Sequence, residues 1–414
     1  MKKLKGALLI GQSGGPTSVI NASALGVFKE AFKHSEITGI YALRHGIKGI
    51  LNEEFYDIRQ EDMAELDRLF YTPSSAIGSV RYKLKDFSVD DTDYLRLLTI
   101  FKKHDIRYFF YNGGNDSMDT CLKISRYLKS VNYECQVIGI PKTIDNDLYG
   151  IDHSPGFGSA AKYVATTLRE VALDAQVYDT KQVVIAEVMG RNAGWLTAAA
   201  QLANFGNSKV DLIYLPEVAF DLDAFFDDIK KILQTKNSVV VAVSEGIKDA
   251  KTGKFIPELY TELATDAFGH ASLGGCAAVL ANKVKEKLGV KVRPLELSLL
   301  QRSAAHLQSL VDVTEALEVG RQAVIAALNG VSDKFVGIIR TSNNPYTVEY
   351  PLLDLEIVAN QERKIPLEWI LPNGQGLTKE FNEYCLPLIQ GDNPAQLIDG
   401  LPRFAKLRKV LVKK

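Results

Sequence analysis

The chain has 414 residues, 46% of them apolar, so it is too long for one average domain and can fill more than one sizeable core. Its formal net charge of −1 argues against a nucleic-acid coat or a basic membrane surface, so cations for any anionic substrate must be gathered locally. Cys121, Cys135, Cys276 and Cys385 have neither metal-ligand nor C-x-x-C spacing, which points to reduced thiols in a cytoplasmic setting.

The first apolar run ends at Ile10, too short for a signal-peptide core, and reads as a buried strand over Gly6–Ile10. No run approaches transmembrane length. G-Q-S-G-G-P-T-S follows, then a helix to about Lys33. Ser13, Gly14 and Gly15 before a helix start suit a phosphate, although a glycine turn in such a fold is often only a tight turn. The loop is neither a Walker A sequence nor a dinucleotide fingerprint. A second strand spans Ile37–Leu43, and 47–51 reads as a loop with apolar anchoring. Arg81, after a Ser-rich turn, either reaches a phosphate or is a solvated surface arginine. Asp90 to His104 has helical periodicity.

A third strand, from Ile106 to Tyr111, ends in N-G-G-N-D-S-M-D-T. Gly113 and Gly114 allow close backbone approach, and a helix through Leu128 follows. Asn115, Asp116 and Ser117 are more polar ligands than one N-cap needs, and an oxygen here suits Mg²⁺. Further strands are expected near 183–188, 212–215, 239–243 and 292–297, with helices near 159–175, 193–202, 222–233, 277–287 and 314–328. This alternation predicts an α/β protein with mainly parallel sheets flanked by helices. Residues 345–414 carry seven prolines and read as a wrapped tail.

The richest stretch is I-P-K-T-I-D-N-D-L, 140–148, which leaves a strand and precedes a glycine-rich helix start. Phosphoryl transfer needs a cation clamp, a metal, and a group that orients or deprotonates the attacking hydroxyl. Lys142, Thr143, Asp145 and Asp147 supply those types. Asp145 is the candidate base, Thr143 its orienting neighbour, and Asp147 either lies near the metal or holds the loop. The bland alternative is a polar Asx-rich turn.

P-K-T-I-D-N-D, with G-G-N-D-S before it and V-M-G-R-N-A-G-W-L, S-E-G and L-Q-R after it, resembles the phosphofructokinase family, and its diphosphate-dependent branch in particular. The motifs keep family order and cover most of the chain. The resemblance implies two Rossmann-like domains with the active site in the cleft between them. It implies phosphoryl transfer from diphosphate to the 1-hydroxyl of fructose 6-phosphate in glycolysis or gluconeogenesis, with Mg²⁺. Asp145 then takes the hydroxyl proton. Met189, Gly190 and Arg191 line the sugar, and Glu245 bonds its hydroxyls. Arg293 and Arg302 hold the 6-phosphate, with Gln301 beside them. Gly14, Gly15, Arg81 and Gly114 meet the donor, and Asn115 the metal. Some family arginines reach across a subunit interface, which implies a homodimer or homotetramer.

Asp116 stands where ATP-using relatives usually have glycine, so its carboxylate would fill and repel the nucleotide's α-phosphate region. Lys142 replaces a glycine of many such relatives. The chain departs from the family at Asn115, usually aspartate; at Gln182, an arginine in bacterial ATP enzymes; and at Leu299, a histidine there. Lys181 is one residue from Gln182 and so faces the other way on a strand. His270, in a longer 250–290 segment, reads as structural. The expected donor and Mg²⁺ domain is 1–155 with about 303–344, and the sugar-phosphate domain is 156–302. The rival readings are an ATP-dependent phosphofructokinase and a non-catalytic sugar-phosphate-binding subunit.

Overall fold

The structure, a computed structural model, describes residues 4–204, 209–260, 275–358, 361–374 and 376–413. His270 lies outside them. The strands, in chain order, are β1 (Gly6–Gln12), β2 (Ile37–Leu43), β3 (Phe55–Asp57), β4 (Ile106–Gly113), β5 (Gln136–Pro141), β6 (Gln182–Val188), β7 (Leu212–Tyr214), β8 (Ser238–Ser244), β9 (Lys291–Glu296), β10 (Lys334–Val336), β11 (Ile339–Asn343), β12 (Tyr346–Glu349) and β13 (Leu352–Asp354). Eleven of them build a seven-stranded sheet in the order β13-β10-β5-β4-β1-β2-β3 and a four-stranded sheet in the order β7-β8-β6-β9, while β11 and β12 pair only with each other. The five inner strands of the larger sheet run parallel, and β3 and β13 close its edges antiparallel. The smaller sheet is wholly parallel.

Each buried strand is a short apolar run because both faces are covered by helices. Helices Ile20–Ala31 and Leu310–Leu328 share one face of the larger sheet, and Thr92–Lys103 and Asn115–Ser130 cover the other. The first pair meets at Gly26 and Gly320, where a Cβ would stand 2.0 Å from a carbonyl oxygen of the facing helix. Helix Phe157–Ala175 lies on one face of the smaller sheet, with Leu222–Ile232 and Cys276–Leu288 on the other. The N-terminus of helix Phe157–Ala175 is capped from outside: the buried Asp312 carboxylate accepts from Gly156 N–H and Ser159 N–H, both at 2.8 Å. That cap ties the two sheets' helices together.

One local expectation changes. Residues Ile47–Leu51 form a short helix, not a loop, started by Gly46 at φ 56°. The segment after 345 is shared between both cores. β13 pairs with β10, while Phe381, Tyr384 and Cys385 from helix Lys379–Cys385 enter the core around the smaller sheet. Farther on, Leu411 bridges Tyr56, covering the outer edge of β3. Short strands broken by prolines give no periodic signal, so only tertiary pairing reveals them. No helix among the described residues is long and apolar enough to cross a membrane.

A buried ion network stands behind the 140–148 loop. His153 contacts Asp152 Oδ1 at 2.7 Å and Glu315 Oε2 at 2.6 Å. Tyr346 OH donates to Glu315 Oε1 at 2.7 Å, and Arg340 pairs with Asp152 at 2.9 Å. Burial works to discharge His153, but the charges of Glu315 and Asp152 outweigh it and push its pKa up to about 9. A folded-state pKa above the usual 6.5 means stability fully present below about pH 6.5 and lost as pH rises through about 9. His153→Gln should therefore lower the Tm more at about pH 6 than at about pH 10. Equal losses at both would mean that the histidine contributes packing rather than charge.

Candidate active site

A cavity of about 760 Å³ opens between the two sheets, where loops leave the carboxyl ends of β1, β4, β5, β6 and β8. That is where ligands bind in open α/β sheets. One wall carries Gly14, Gly15, Arg81, Gly114, Asn115 and Asp116. Lys142, Thr143, Asp145 and Asp147 form the floor, and Met189, Arg191, Glu245 and Arg302 the far wall. Residues scattered over nearly three hundred positions of sequence thus meet in one cleft.

Lys142 is almost wholly buried, and its ammonium donates to Ser13 O at 2.8 Å and Gly15 O at 2.6 Å. An ammonium has three N–H donors, so one remains for a ligand. Burial pushes its pKa down to about 8, with the nearby Arg302 charge adding to the effect and Asp145 opposing it. Lys142 therefore braces the first glycine loop as well as carrying charge. Asn146 turns the chain between the two aspartates at φ 55°, a conformation asparagine tolerates. Its side chain donates to Tyr384 OH at 2.8 Å and accepts from Ser154 N–H at 2.9 Å, which locks the turn. Thr143 Oγ1 accepts from Asp145 N–H at 3.1 Å.

Asp145 and Asp147 lie deep in the cleft but open to the cavity. Burial raises both carboxyl pKa values, and the Asp145 charge raises Asp147 further. Lys142, Arg191 and Arg302 favour the ionised form of Asp145. Asn115 Nδ2 donates to Asp147 Oδ2 at 3.1 Å, while Asn115 Oδ1 is buried without a partner. Glu245 accepts from Gly190 N–H at 3.2 Å, and burial pushes its pKa up to about 7. Arg302 passes so close to Gly15 that a Cβ there would stand 2.8 Å from its Nη1. Burial, with the neighbouring Arg81 charge, lowers the Arg302 pKa. Two guanidiniums held together in a cleft form a site for an anion.

Several expected residues are placed differently. Gly14 lines the cavity, but its N–H already donates to Val80 O at 3.1 Å, and Ser13 N–H to Asn112 O at 2.9 Å. A phosphate would have to displace the first of these bonds to use the Gly14 amide, which sequence could not reveal because it depends on the distant 78–81 loop. Gly190 lies behind the wall, orienting Glu245. Gln301 is buried and accepts from Met189 N–H at 3.1 Å, so it positions the wall rather than lining it. Arg293 does not line the cavity of a single chain. It is exposed on the edge strand β9, with its guanidinium 5.9 Å from the Tyr178 ring centre. Gln182 is buried and donates to Ala175 O at 2.9 Å, a purely structural bond, and Lys181 points outward. Sequence reading missed Asn192, Gln361, Glu362 and Lys364, all on the cavity wall. Asn192 stands inside the V-M-G-R-N-A-G-W-L motif itself; the last three sit in a segment with no motif at all.

A buried lysine, two neighbouring guanidiniums and clustered carboxylates around one cavity are the group types a phosphotransferase centre uses, here on a two-sheet α/β scaffold. The phosphofructokinase family model matches residues 7–326, and the chain belongs to that family. A pyrophosphate–fructose 6-phosphate 1-phosphotransferase of Xanthomonas campestris is 47% identical over 99% of this chain and 98% of its own. One of the same name from Methylococcus capsulatus is 43% identical over 97% of this chain and 96% of its own. The crystal structure of a pyrophosphate-dependent phosphofructokinase from Nitrosospira multiformis superposes with a TM-score of 0.90 at 40% identity, covering 99% of this chain and 98% of that one.

Proposed function

We infer that this chain reversibly transfers a phosphoryl group from diphosphate to the 1-hydroxyl of fructose 6-phosphate. The observation that carries this reading is the shared cavity: Asp116 and the Lys142-braced loop on one wall, Arg191, Glu245 and Arg302 on the other, Asp145 between them. Full-length relatives bearing the corresponding name support it.

The part around the larger sheet takes the donor, through Gly15, Gly114, Arg81 and the N-terminus of helix Asn115–Ser130. The part around the smaller sheet takes the sugar phosphate. Asp145 accepts the proton of the 1-hydroxyl as its oxygen bonds the transferred phosphorus. The bridging P–O bond breaks and orthophosphate leaves, with the free N–H of Lys142 on the charge that develops. Asn115 Oδ1 and the Asp147 carboxylate suit Mg²⁺, a hard cation that takes oxygen ligands and keeps several waters. When bound it neutralises diphosphate charge and orients the transferring group. Among the described residues no group of three His, Cys, Asp or Glu side chains forms a complete cage. The exposed strand β9 with Arg293, beside exposed Leu299 and Leu300, suits contact with a second copy. The reaction is a step of cytoplasmic sugar-phosphate metabolism, glycolysis or gluconeogenesis.

The purified chain, fructose 6-phosphate and Mg²⁺ are to be mixed with either diphosphate or ATP, and fructose 1,6-bisphosphate followed. Product with diphosphate alone is expected. Product with ATP alone would keep the Asp145 chemistry and overturn the donor, and product with neither would return a binding role or a different acceptor.

A further inference from the structure

The family match ends at residue 326, yet the cavity wall is completed by 361–364. This strap crosses the mouth between the two sheets. Its backbone is pinned on the base-bearing loop by a Leu148–Glu362 bridge and by Arg363 N–H to Asp147 O at 2.8 Å. On the opposite wall, Trp195 Nε1 donates to Arg363 O at 3.1 Å, and Ile365 N–H donates to Glu217 Oε1 at 3.2 Å. Glu217 Oε1 also accepts from Gly194 N–H at 2.8 Å, so one carboxylate fastens the strap to the 189–194 turn.

Side chains alternate along this extended segment, as in any extended chain. Arg363 and Ile365 turn inward: the guanidinium lies 4.1 Å from the Trp195 ring centre, and Ile365 is in the core. Glu362 and Lys364 border the cavity. Glu362 Oε1 accepts from Asn192 Nδ2 at 2.9 Å, and Asn192 belongs to the turn that carries Arg191. The Glu362 charge is felt by both Asp145 and Asp147, and the Lys364 charge by Glu217. The strap is therefore rigidly held, and Lys364 lies by the 189–194 turn, where Glu217 accepts from Gly194 N–H.

We propose that Lys364 contacts the anionic end of the acceptor sugar phosphate and that Glu362 is a positioning residue, holding the Arg191–Asn192 turn against the acceptor. The proposal rests on the reading of the far wall as the acceptor side. A strap fixed through Arg363, Trp195 and Glu217 presents both residues with little ordering cost on binding.

Lys364→Ala is expected to raise the KM for fructose 6-phosphate about tenfold or more, as for a lost charge-assisted contact, with the KM for diphosphate changed less than about twofold. Lys364→Arg should recover most of the loss. Glu362→Ala should lower kcat several-fold with little change in Tm, and Glu362→Gln, which keeps an oxygen for Asn192, should restore it. A raised diphosphate KM with an unchanged fructose 6-phosphate KM, or no change in either, overturns the assignment. Equilibrium dialysis of fructose 6-phosphate alone, on the unaltered chain and on Lys364→Ala, separates the two levels. Weaker binding by the variant supports the strap even where the unaltered chain turns over no diphosphate. Equal binding by both removes Lys364 from the site.

Discussion

Asp145→Ala is expected to lower kcat by about a hundredfold to ten-thousandfold, the range for losing a positioned general base. Lys142, Arg191 and Arg302 all act to keep Asp145 ionised, against the cost of burial. That balance leaves the Asp145 carboxyl pKa above the ordinary range, with burial raising it and the three cations pulling it back. A base so poised takes a proton more readily than one with an ordinary carboxylate pKa. Because alanine removes charge without disturbing Asn146, whose side chain holds the turn to Tyr384 and Ser154, the loop should stay folded. The KM for fructose 6-phosphate should then change far less than kcat. The pH profile offers a second reading of the same group. In the unaltered chain, kcat/KM should rise with pH as the Asp145–Asp147 pair loses its shared excess of protons. It should fall as Lys142, at about 8, loses its own. In Asp145→Ala the alkaline limb should survive and the acid limb should move to lower pH, since Asp147 no longer feels the Asp145 charge. Turnover near that of the unaltered chain would remove Asp145 from the role of base.

The strands were readable because a parallel strand buried on both faces is a continuous apolar run, as in Ala7–Ile10 and Val183–Ala186. The floor of the site was readable because Lys142, Thr143, Asp145 and Asp147 are contiguous and follow such a run. What failed to show was everything that acts from behind or from far away. Gln301 and Gly190 share motifs with wall residues, and sequence does not tell which of two neighbours faces the cavity. The Gly14 amide is committed to Val80, a partner 66 positions on, and only the folded 78–81 loop makes that visible. Arg293 lies on an edge strand whose other side is open in one chain. Glu362 and Lys364 sit in a proline-bordered stretch with no periodicity, and their meaning arises only from the inward anchors Arg363 and Ile365. Asp116 was legible in type but not in weight, because its energetic effect depends on how far solvent reaches it.

Asp116→Gly should raise activity with ATP by about tenfold to a thousandfold while lowering activity with diphosphate less steeply. A carboxylate about 4 Å from an α-phosphate costs on the order of 4 kcal/mol at a surface-like dielectric, close to three decades. Asp116 is exposed to the cleft, however, and solvent there screens it, which brings the lower end of the range to about one decade. The steric part adds to this, since Asp116 occupies the first turn of helix Asn115–Ser130, where backbone N–H groups and the helix dipole favour an anion. A carboxylate placed there stands in the position that a third phosphate group would seek, and glycine would return that position to the ligand. Thr120 Oγ1 bonds the Asp116 main-chain carbonyl at 2.8 Å, not its side chain, so the helix start should survive the change. Gly114 already precedes it, and a second glycine in the first turn costs about 1 kcal/mol of helix stability, a loss thermal denaturation would report separately. The comparison to make is the ratio of kcat/KM for ATP and for diphosphate in both proteins. A ratio that does not move would mean that donor choice lies elsewhere on the wall, with Lys142 and the Gly15–Arg302 contact the next groups to change.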